Sequence, residues 1–175
     1  MLYTGKGDNG TTKLFGCIQR VAKDEPRVEA LGNLDELNSW IGFCAALSLE
    51  SAAPDIGERL RTIQNDLFTI QAMVAGAPKA LQDGRMVYLE TVIASVESEI
   101  ESIHSFTIPG ATVLSGALDV GRTIARRAER RIIALGDEAL RESVIPYQNR
   151  LSSALFALAR LAAHHAGVKE QAPVY

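Results

Sequence analysis

Apolar residues recur along most of the chain at the three- and four-residue spacing of an α-helix, and proline or glycine separates the periodic stretches. No stretch shows the strict alternation that is typical of a strand. The clearest seam, with alternating steps of three and four, consists of Leu60, Ile63, Leu67, Ile70 and Val74. We therefore predict an all-α fold, an antiparallel five-helix bundle with mostly short connections. The predicted helices cover residues 26–49, 54–75, 84–104, 112–135 and 146–166.

The first 25 residues lack this periodicity. Their segment Thr4–Thr12 contains three glycines, three threonines, one lysine and one aspartate. Glycines let backbone N–H groups converge on phosphate oxygens, while lysine and the hydroxyls add charge and further donors. The spacing of the Walker P-loop is absent. The segment is thus either a phosphate-binding loop or a flexible terminus, and we expect one domain, 1–175, with a loop at 1–25 and a bundle at 26–167.

The fourth predicted helix carries five arginines between Arg122 and Arg131, with Glu129 as the single acid among them. At about 100° per residue, Arg122, Arg126 and Arg130 share one stripe of the helix. A solvated helix face would usually interleave acids with bases to relieve repulsion. Because the arginine fork matches phosphate and carboxylate groups, the pattern favours an anion-binding site.

The first predicted helix places Asp35 and Asn38 close to its apolar stripe, and Asp24 is the expected residue that caps its start. A carboxylate at a buried surface needs a partner, which the arginine stripe would supply. The alternative is that Asp35 is a partly exposed helix acid.

Composition narrows the class of protein. A net charge of −3 argues against general nucleic-acid binding, and no stretch has the length of an apolar membrane span. The start has no apolar core of a signal peptide. The two cysteines, Cys17 and Cys44, fit a reducing cytosol, where we expect both to be buried. We therefore expect a cytoplasmic protein without membrane or nucleic-acid partners.

Six motifs, in order along nearly the whole chain, resemble the PduO-type ATP:cob(I)alamin adenosyltransferases. They are TGKGDNGTT at 4–12, LGNLDELNSWIG at 31–42, QNDLF at 64–68, FTIPG at 106–110, RTIARRAERR at 122–131 and NRLSSALF at 149–156. The resemblance implies a five-helix bundle that forms a homotrimer, with active sites between adjacent subunits. It also implies transfer of the 5′-deoxyadenosyl group of ATP to reduced cobalamin, with release of triphosphate and with Mg²⁺ on the phosphates rather than on protein ligands. A corrinoid reductase and an adenosylcobalamin-dependent enzyme are the candidate protein partners.

The same resemblance assigns site residues. Arg126 and Phe106 are the expected catalytic residues, and Phe106 lies beneath the corrin of cobalamin. Arg122 is expected to pair with Asp35 across the subunit interface. The ATP-binding residues are Thr4, Gly5, Lys6, Gly7, Asp8, Gly10, Thr12, Lys13, Lys23, Arg126, Arg127, Glu129, Arg130 and Asn149. One departure is that the lysine of the family's Thr-Lys-x-Gly-Asp is displaced by one position to Lys6.

Three alternatives remain open from the residues alone. Phe106 precedes a Pro-Gly turn, so it could be an ordinary loop anchor packed on the bundle. Glu101-x-x-His104 is half of the ligand signature of a ferritin-like di-iron bundle. A helical interaction module whose arginine stripe docks an acidic partner is the non-enzyme alternative.

Overall fold

The computed structural model describes residues 2–175 and confirms the helical bundle. Four long helices match the predicted ones closely, and the third ends at Glu99 rather than near His104. A short helix after the fourth long element was not predicted. The helices are α1 Pro26–Glu50, α2 Pro54–Val74, α3 Arg85–Glu99, α4 Val113–Ile133, α5 Glu138–Ser143 and α6 Ile145–His165.

Proline and local hydrogen bonds explain where the helices begin. Pro26 and Pro54 occupy the first positions of α1 and α2, where a missing N–H costs nothing. At the start of α4, the Ser115 N–H donates to the Thr112 hydroxyl oxygen at 3.0 Å, and the Thr112 N–H donates back to the Ser115 hydroxyl oxygen at 2.8 Å. The prediction that Asp24 caps α1 is wrong, because Glu25 occupies the capping position and makes no capping bond.

The expectation that the chain has no strands needs a small correction. Strand β1, Thr11–Thr12, pairs antiparallel with strand β2, Val21–Ala22. Two residues per strand are too few to produce a visible alternation in the sequence. Their pairing nevertheless closes a hairpin directly after the glycine-rich turns of residues 5–10.

The core lies among the long helices, with α4 packed on α6, α1 on both α2 and α4, and α3 on α6. All five residues of the predicted α2 seam are fully buried. Cys44 is buried, and its burial raises the pKa of the thiol to about 12. Cys17 is exposed, so the expectation that both cysteines are buried is wrong for that residue. Among residues 2–175, every helix is too short or too polar to cross a membrane.

A polar network ties together three helices of this core. Arg85, at the start of α3, donates two hydrogen bonds of 2.7 Å to the carboxylate of Asp66 on α2. The hydroxyl of Tyr147 on α6 donates to the same carboxylate at 2.8 Å. Burial raises the pKa of Tyr147 far above its usual value, so the phenol remains a donor at every ordinary pH.

This network predicts the effect of removing one hydroxyl. Tyr147→Phe keeps the ring but removes one of the two hydrogen bonds that Asp66 Oδ2 accepts, the other coming from Arg85. Because the lost bond is to a charged carboxylate, the free energy of unfolding should fall by about 2 kcal/mol. Urea denaturation followed by circular dichroism measures the change. Tyr88→Phe is the matched control, because Tyr88 is only half-buried and contributes its ring face to Arg85. Equal stability of the two variants would contradict the role given to the Tyr147 hydroxyl.

Candidate functional site

A cavity of about 1090 Å³ lies between the segment that follows α3 and the facing sides of α4 and α6. Phe106 lines it from that segment, and Arg122 and Arg126 line it from α4. Arg122 and Arg126, one helical turn apart, therefore line the same cavity as Phe106. The cavity thus combines an apolar surface with positive charge.

Phe106 projects from non-helical chain and is 80% exposed. A packed anchor would be largely buried, so the structure excludes the anchor interpretation. The chain turns at Gly110, whose φ of +99° is accessible to glycine and strained for other residues. An aromatic ring exposed inside a cavity can contact a large planar ligand without rearranging the core.

The structure divides four of the five arginines of α4 into two groups. Arg127 faces α1, where its Nε donates to Asn33 Oδ1 at 2.8 Å and its Nη2 pairs with Glu36. Arg131 also faces α1, with 3.4 Å between its Nε and Glu29 Oε1. These two guanidiniums already have partners within the chain, so they join α4 to α1.

Arg122 and Arg126 form the other group. No carboxylate among residues 2–175 forms a salt bridge with either of them. The Nε of Arg122 is buried and has no hydrogen-bond partner within the same residues. Buried donors are nearly always paired, so this Nε is available to a group from outside residues 2–175. Asp35 is exposed on α1, where it is accessible to another subunit.

The glycine-rich segment folds into turns that lead into an ordered hairpin, and it is not an extended tail. Arg20 holds its strand by donating from Nε to the Thr11 hydroxyl at 2.6 Å and from Nη2 to the Thr11 carbonyl at 2.7 Å. The Lys23 N–H donates to the Gly10 carbonyl at 2.9 Å. Arg20 was not among the site residues expected from the sequence. Its two hydrogen bonds across the hairpin stabilise the shape of the loop.

Three lysines place positive charge on this hairpin and on the turns that precede it. The Nζ of Lys23 would lie 3.2 Å from a Cβ at Gly7, so glycine leaves room for the ammonium group beside the backbone. Lys6 and Lys13 are exposed on the same loop. This arrangement of ammonium groups, glycines and hydroxyls can surround an anion.

Among residues 2–175, no side-chain hydrogen bond or salt bridge joins the N-terminal loop to the arginines of α4. In the part of the chain that the structure describes, the side-chain hydrogen bonds of residues 4–13 stay within the hairpin. Asn149 is exposed in the first turns of α6, and Arg130 donates to the Arg126 carbonyl at 3.0 Å. Glu129 lies half-buried beside them on α4.

Sequence reasoning missed the residues at the base of the cavity. Asp119, Ser152, Phe156 and Arg160 all line it. A signal was present, because Arg160 interrupts an otherwise apolar run in α6 and a charge on a buried face requires a partner. The di-iron alternative loses its basis, since Glu101 and His104 lie beyond the end of α3 and are not on a helix.

Comparison with known proteins identifies the family of this chain. The family described as "Cobalamin adenosyltransferase" matches residues 2–162. The corrinoid adenosyltransferase of Bacillus subtilis is 39% identical over 173 residues, which cover 95% of this chain and 89% of that protein. Corrinoid adenosyltransferase PduO of Salmonella typhimurium is 42% identical over 169 residues, and the match covers 91% of this chain but only 48% of that longer protein.

A solved structure shows the same fold. It is a variant of the PduO-type ATP:corrinoid adenosyltransferase of Lactobacillus reuteri, complexed with cobalamin and ATP. It superposes with a TM-score of 0.88 at 34% identity, over 99% of this chain and 96% of that one. Since both the sequence match and the structural match extend over nearly the whole molecule, this chain belongs to the cobalamin adenosyltransferase family.

Proposed function

We propose that this chain transfers the 5′-deoxyadenosyl group of ATP to cob(I)alamin, giving adenosylcobalamin and triphosphate. The observation that carries the proposal is the cavity lined by exposed Phe106 and by Arg122 and Arg126, neither of which pairs with a carboxylate among residues 2–175. Residues 1–175 act as one adenosyltransferase domain, with the ATP loop at 1–25 and the bundle at 26–167. The solved relative that binds both cobalamin and ATP supports this assignment.

The reaction needs no nucleophile from the protein. The electron pair of cobalt(I) attacks C5′ of ATP, a cobalt–carbon bond forms, and the C5′–oxygen bond breaks. The triphosphate leaves with that electron pair, and the cobalt is formally oxidised by two electrons. The protein therefore acts by positioning the reactants and by stabilising the leaving charge. Arg126 suits the second task, because its guanidinium faces the cavity and is free of internal carboxylates.

The N-terminal hairpin would hold the triphosphate. Its glycines expose backbone donors, and Lys6, Lys13 and Lys23 supply positive charge. Mg²⁺ binds mainly to phosphate oxygens and keeps several waters. Mg²⁺ held by the phosphates, rather than by protein ligands, would neutralise part of the phosphate charge.

Assembly as a homotrimer would bring the hairpin and the arginines together. Within one chain they are separate, whereas a neighbouring subunit can supply the missing half. Apolar side chains exposed on α1, α2 and α4 support an interface: Phe43, Phe68, Val113 and Val120. Asp35 would then reach the unpaired Arg122 of its neighbour. We also propose that the protein acts in the cytoplasm. Its protein partners there would be a corrinoid reductase and an adenosylcobalamin-dependent acceptor enzyme.

The direct test is an anaerobic incubation of the protein with ATP, Mg²⁺ and chemically reduced cobalamin. The visible spectrum should change to that of adenosylcobalamin. If no product forms and calorimetry detects no ATP binding at millimolar concentration, the function proposed here is wrong.

Replacing Arg126 tests the electrostatic role. Arg126→Ala should lower turnover by about tenfold or more at saturating ATP, since a charge-assisted contact to the leaving phosphates is lost. The fold should survive, because Arg126 is exposed in the free chain. Arg131→Ala is the matched control on the same helix, where the guanidinium pairs with Glu29 instead. Wild-type turnover in Arg126→Ala would remove this residue from the mechanism.

The pairing of Asp35 with Arg122 is tested by a double-mutant cycle. Each alanine variant should weaken the trimer, as measured by sedimentation at falling protein concentration. The double variant should lose less than the sum of the two single variants, because the second change removes a group that has already lost its partner. Strictly additive losses would show that the two side chains do not meet.

Phe106 is expected to act on the reduction of cobalt. As a ring beneath the corrin it would keep the lower axial ligand displaced, which makes cobalt(II) easier to reduce. Phe106→Ala should therefore impair the reaction from cobalt(II) with a reductant far more than the reaction from pre-reduced cobalt(I). Electron paramagnetic resonance should show a retained lower ligand.

Stability supplies the control for Phe106. Because the side chain is 80% exposed, the melting temperature of Phe106→Ala should stay close to that of the wild type. Equal losses in both assays, together with a melting temperature lower by many degrees, would contradict the role beneath the corrin.

A further inference from the structure

Arg160 is a buried charge on α6, with only 2% of its surface exposed. Its guanidinium contacts three different segments of the chain, one through each nitrogen. Nη2 donates to Asp119 Oδ2 on α4 at 2.6 Å, Nη1 donates to the hydroxyl of Thr107, and Nε lies 3.0 Å from Glu170 Oε1. Only the planar fork of arginine can reach three directions in this way, whereas the ammonium of lysine is a single point.

Two of these partners lie outside the helices. One is in the segment between α3 and α4, residues 100–112, here called the cavity segment, and the other is in the C-terminal tail. Thr107 directly follows Phe106, and Glu170 lies in the non-helical tail that follows α6. A backbone hydrogen bond joins the same two segments, because the Ile108 N–H donates to the Gln171 carbonyl at 2.8 Å. The two residues that come immediately after Phe106 are therefore attached, Thr107 to Arg160 of α6 and Ile108 to the tail.

Phe106 depends on this attachment for its position. Its side chain is exposed, so packing of the ring on the bundle does not hold it. The neighbouring ring of Phe156 is held in turn, with 4.8 Å between its centre and the Arg160 guanidinium carbon. Arg160 therefore contacts two parts of the cavity wall, the segment that carries Phe106 and the ring of Phe156.

Arg160 offsets the electrostatic cost of placing Glu170 of the tail near Asp119. Glu170 and Asp119 place two carboxylates beside one guanidinium in a buried site. Burial raises the pKa of Glu170, and Arg160 opposes that rise. The Nε–Glu170 contact is within ion-pair distance but is not aligned as a hydrogen bond, so attraction of charge is its main component. Without this attraction, burial of Glu170 would be unfavourable.

We propose that Arg160 is a positioning residue that, through Thr107 and Glu170, clamps the C-terminal tail onto the cavity segment and so places Phe106 beneath the corrin. The inference rests on the function proposed above and adds a residue to it. Glu170 lies beyond residues 2–162, the range matched by the family. The clamp thus joins Arg160 and Thr107, inside the matched range, to a tail residue outside it.

Glu170→Gln is the principal test, since it removes the charge and keeps the shape of the side chain. With the full-length protein, the rate from cobalt(II) plus a chemical reductant should fall by about fivefold or more. The rate from pre-reduced cobalt(I) should fall by less than about twofold. Electron paramagnetic resonance of the cobalt(II) complex with ATP should show a larger fraction that retains its lower axial ligand.

Lys169→Ala is the matched control, because Lys169 is exposed in the same tail. It should behave as the wild type in both assays and in the resonance spectrum. Thr107→Val approaches the clamp from the other side by removing the acceptor of Nη1 at similar volume. It should reproduce the difference between the two assays, and it decides the outcome if Glu170→Gln does not fold.

The possible failures are distinguishable. If the wild type makes no adenosylcobalamin from either oxidation state, the proposed function is wrong. If the wild type is active but Glu170→Gln and Thr107→Val match Lys169→Ala, only the clamp is wrong. Equal losses in the two assays with an unchanged resonance spectrum would show that the network merely stabilises the fold, and would also overturn the clamp.

Discussion

Positive charge that the chain does not neutralise is the constraint on which the candidate site depends. Guanidinium groups one turn apart on α4 repel each other, and acids on α1 relieve this repulsion only at Arg127 and Arg131. Arg122 and Arg126 remain without such partners and face the cavity. Helix α4, packed on α1 and α6, fixes the backbone positions from which they project into the cavity. Donors arranged in advance stabilise a developing negative charge without reorganising, which is the most effective form of electrostatic catalysis.

The apolar part of the cavity is also left exposed in the free chain. An exposed aromatic ring gains nothing from burial in the free chain, so Phe106 contributes little to folding and is available for contact with a ligand. The rigid helices supply the framework, and a short non-helical segment carries the contact residue, as is usual for binding sites. Such a segment needs an attachment of its own. The hydrogen bonds from Thr107 and Ile108 to α6 and the tail provide it.

Two different uses of buried charge appear in one small bundle. The network of Asp66, Arg85 and Tyr147 joins three helices far from the cavity and is structural in our interpretation. The network of Asp119, Arg160 and Glu170 borders the cavity and touches the segment that carries Phe106. The chemistry of the groups is similar in both, so only their location separates a structural role from a functional one.

The sequence by itself determined the helical bundle, since its periodicity and its prolines are local signals that tertiary packing did not override. It also determined that α4 is rich in arginine and that the N-terminal segment is rich in glycine. Tertiary structure alone decided which arginines are neutralised, because Arg127 and Glu36 lie 91 residues apart in the chain. It likewise decided the end of α3, where Ile100 and Ile103 continue the apolar pattern but leave the helix to line the cavity. The contact of Arg160 with Thr107, across 53 residues, was also invisible to any local pattern, because a pairing between distant segments exists only once the chain has folded.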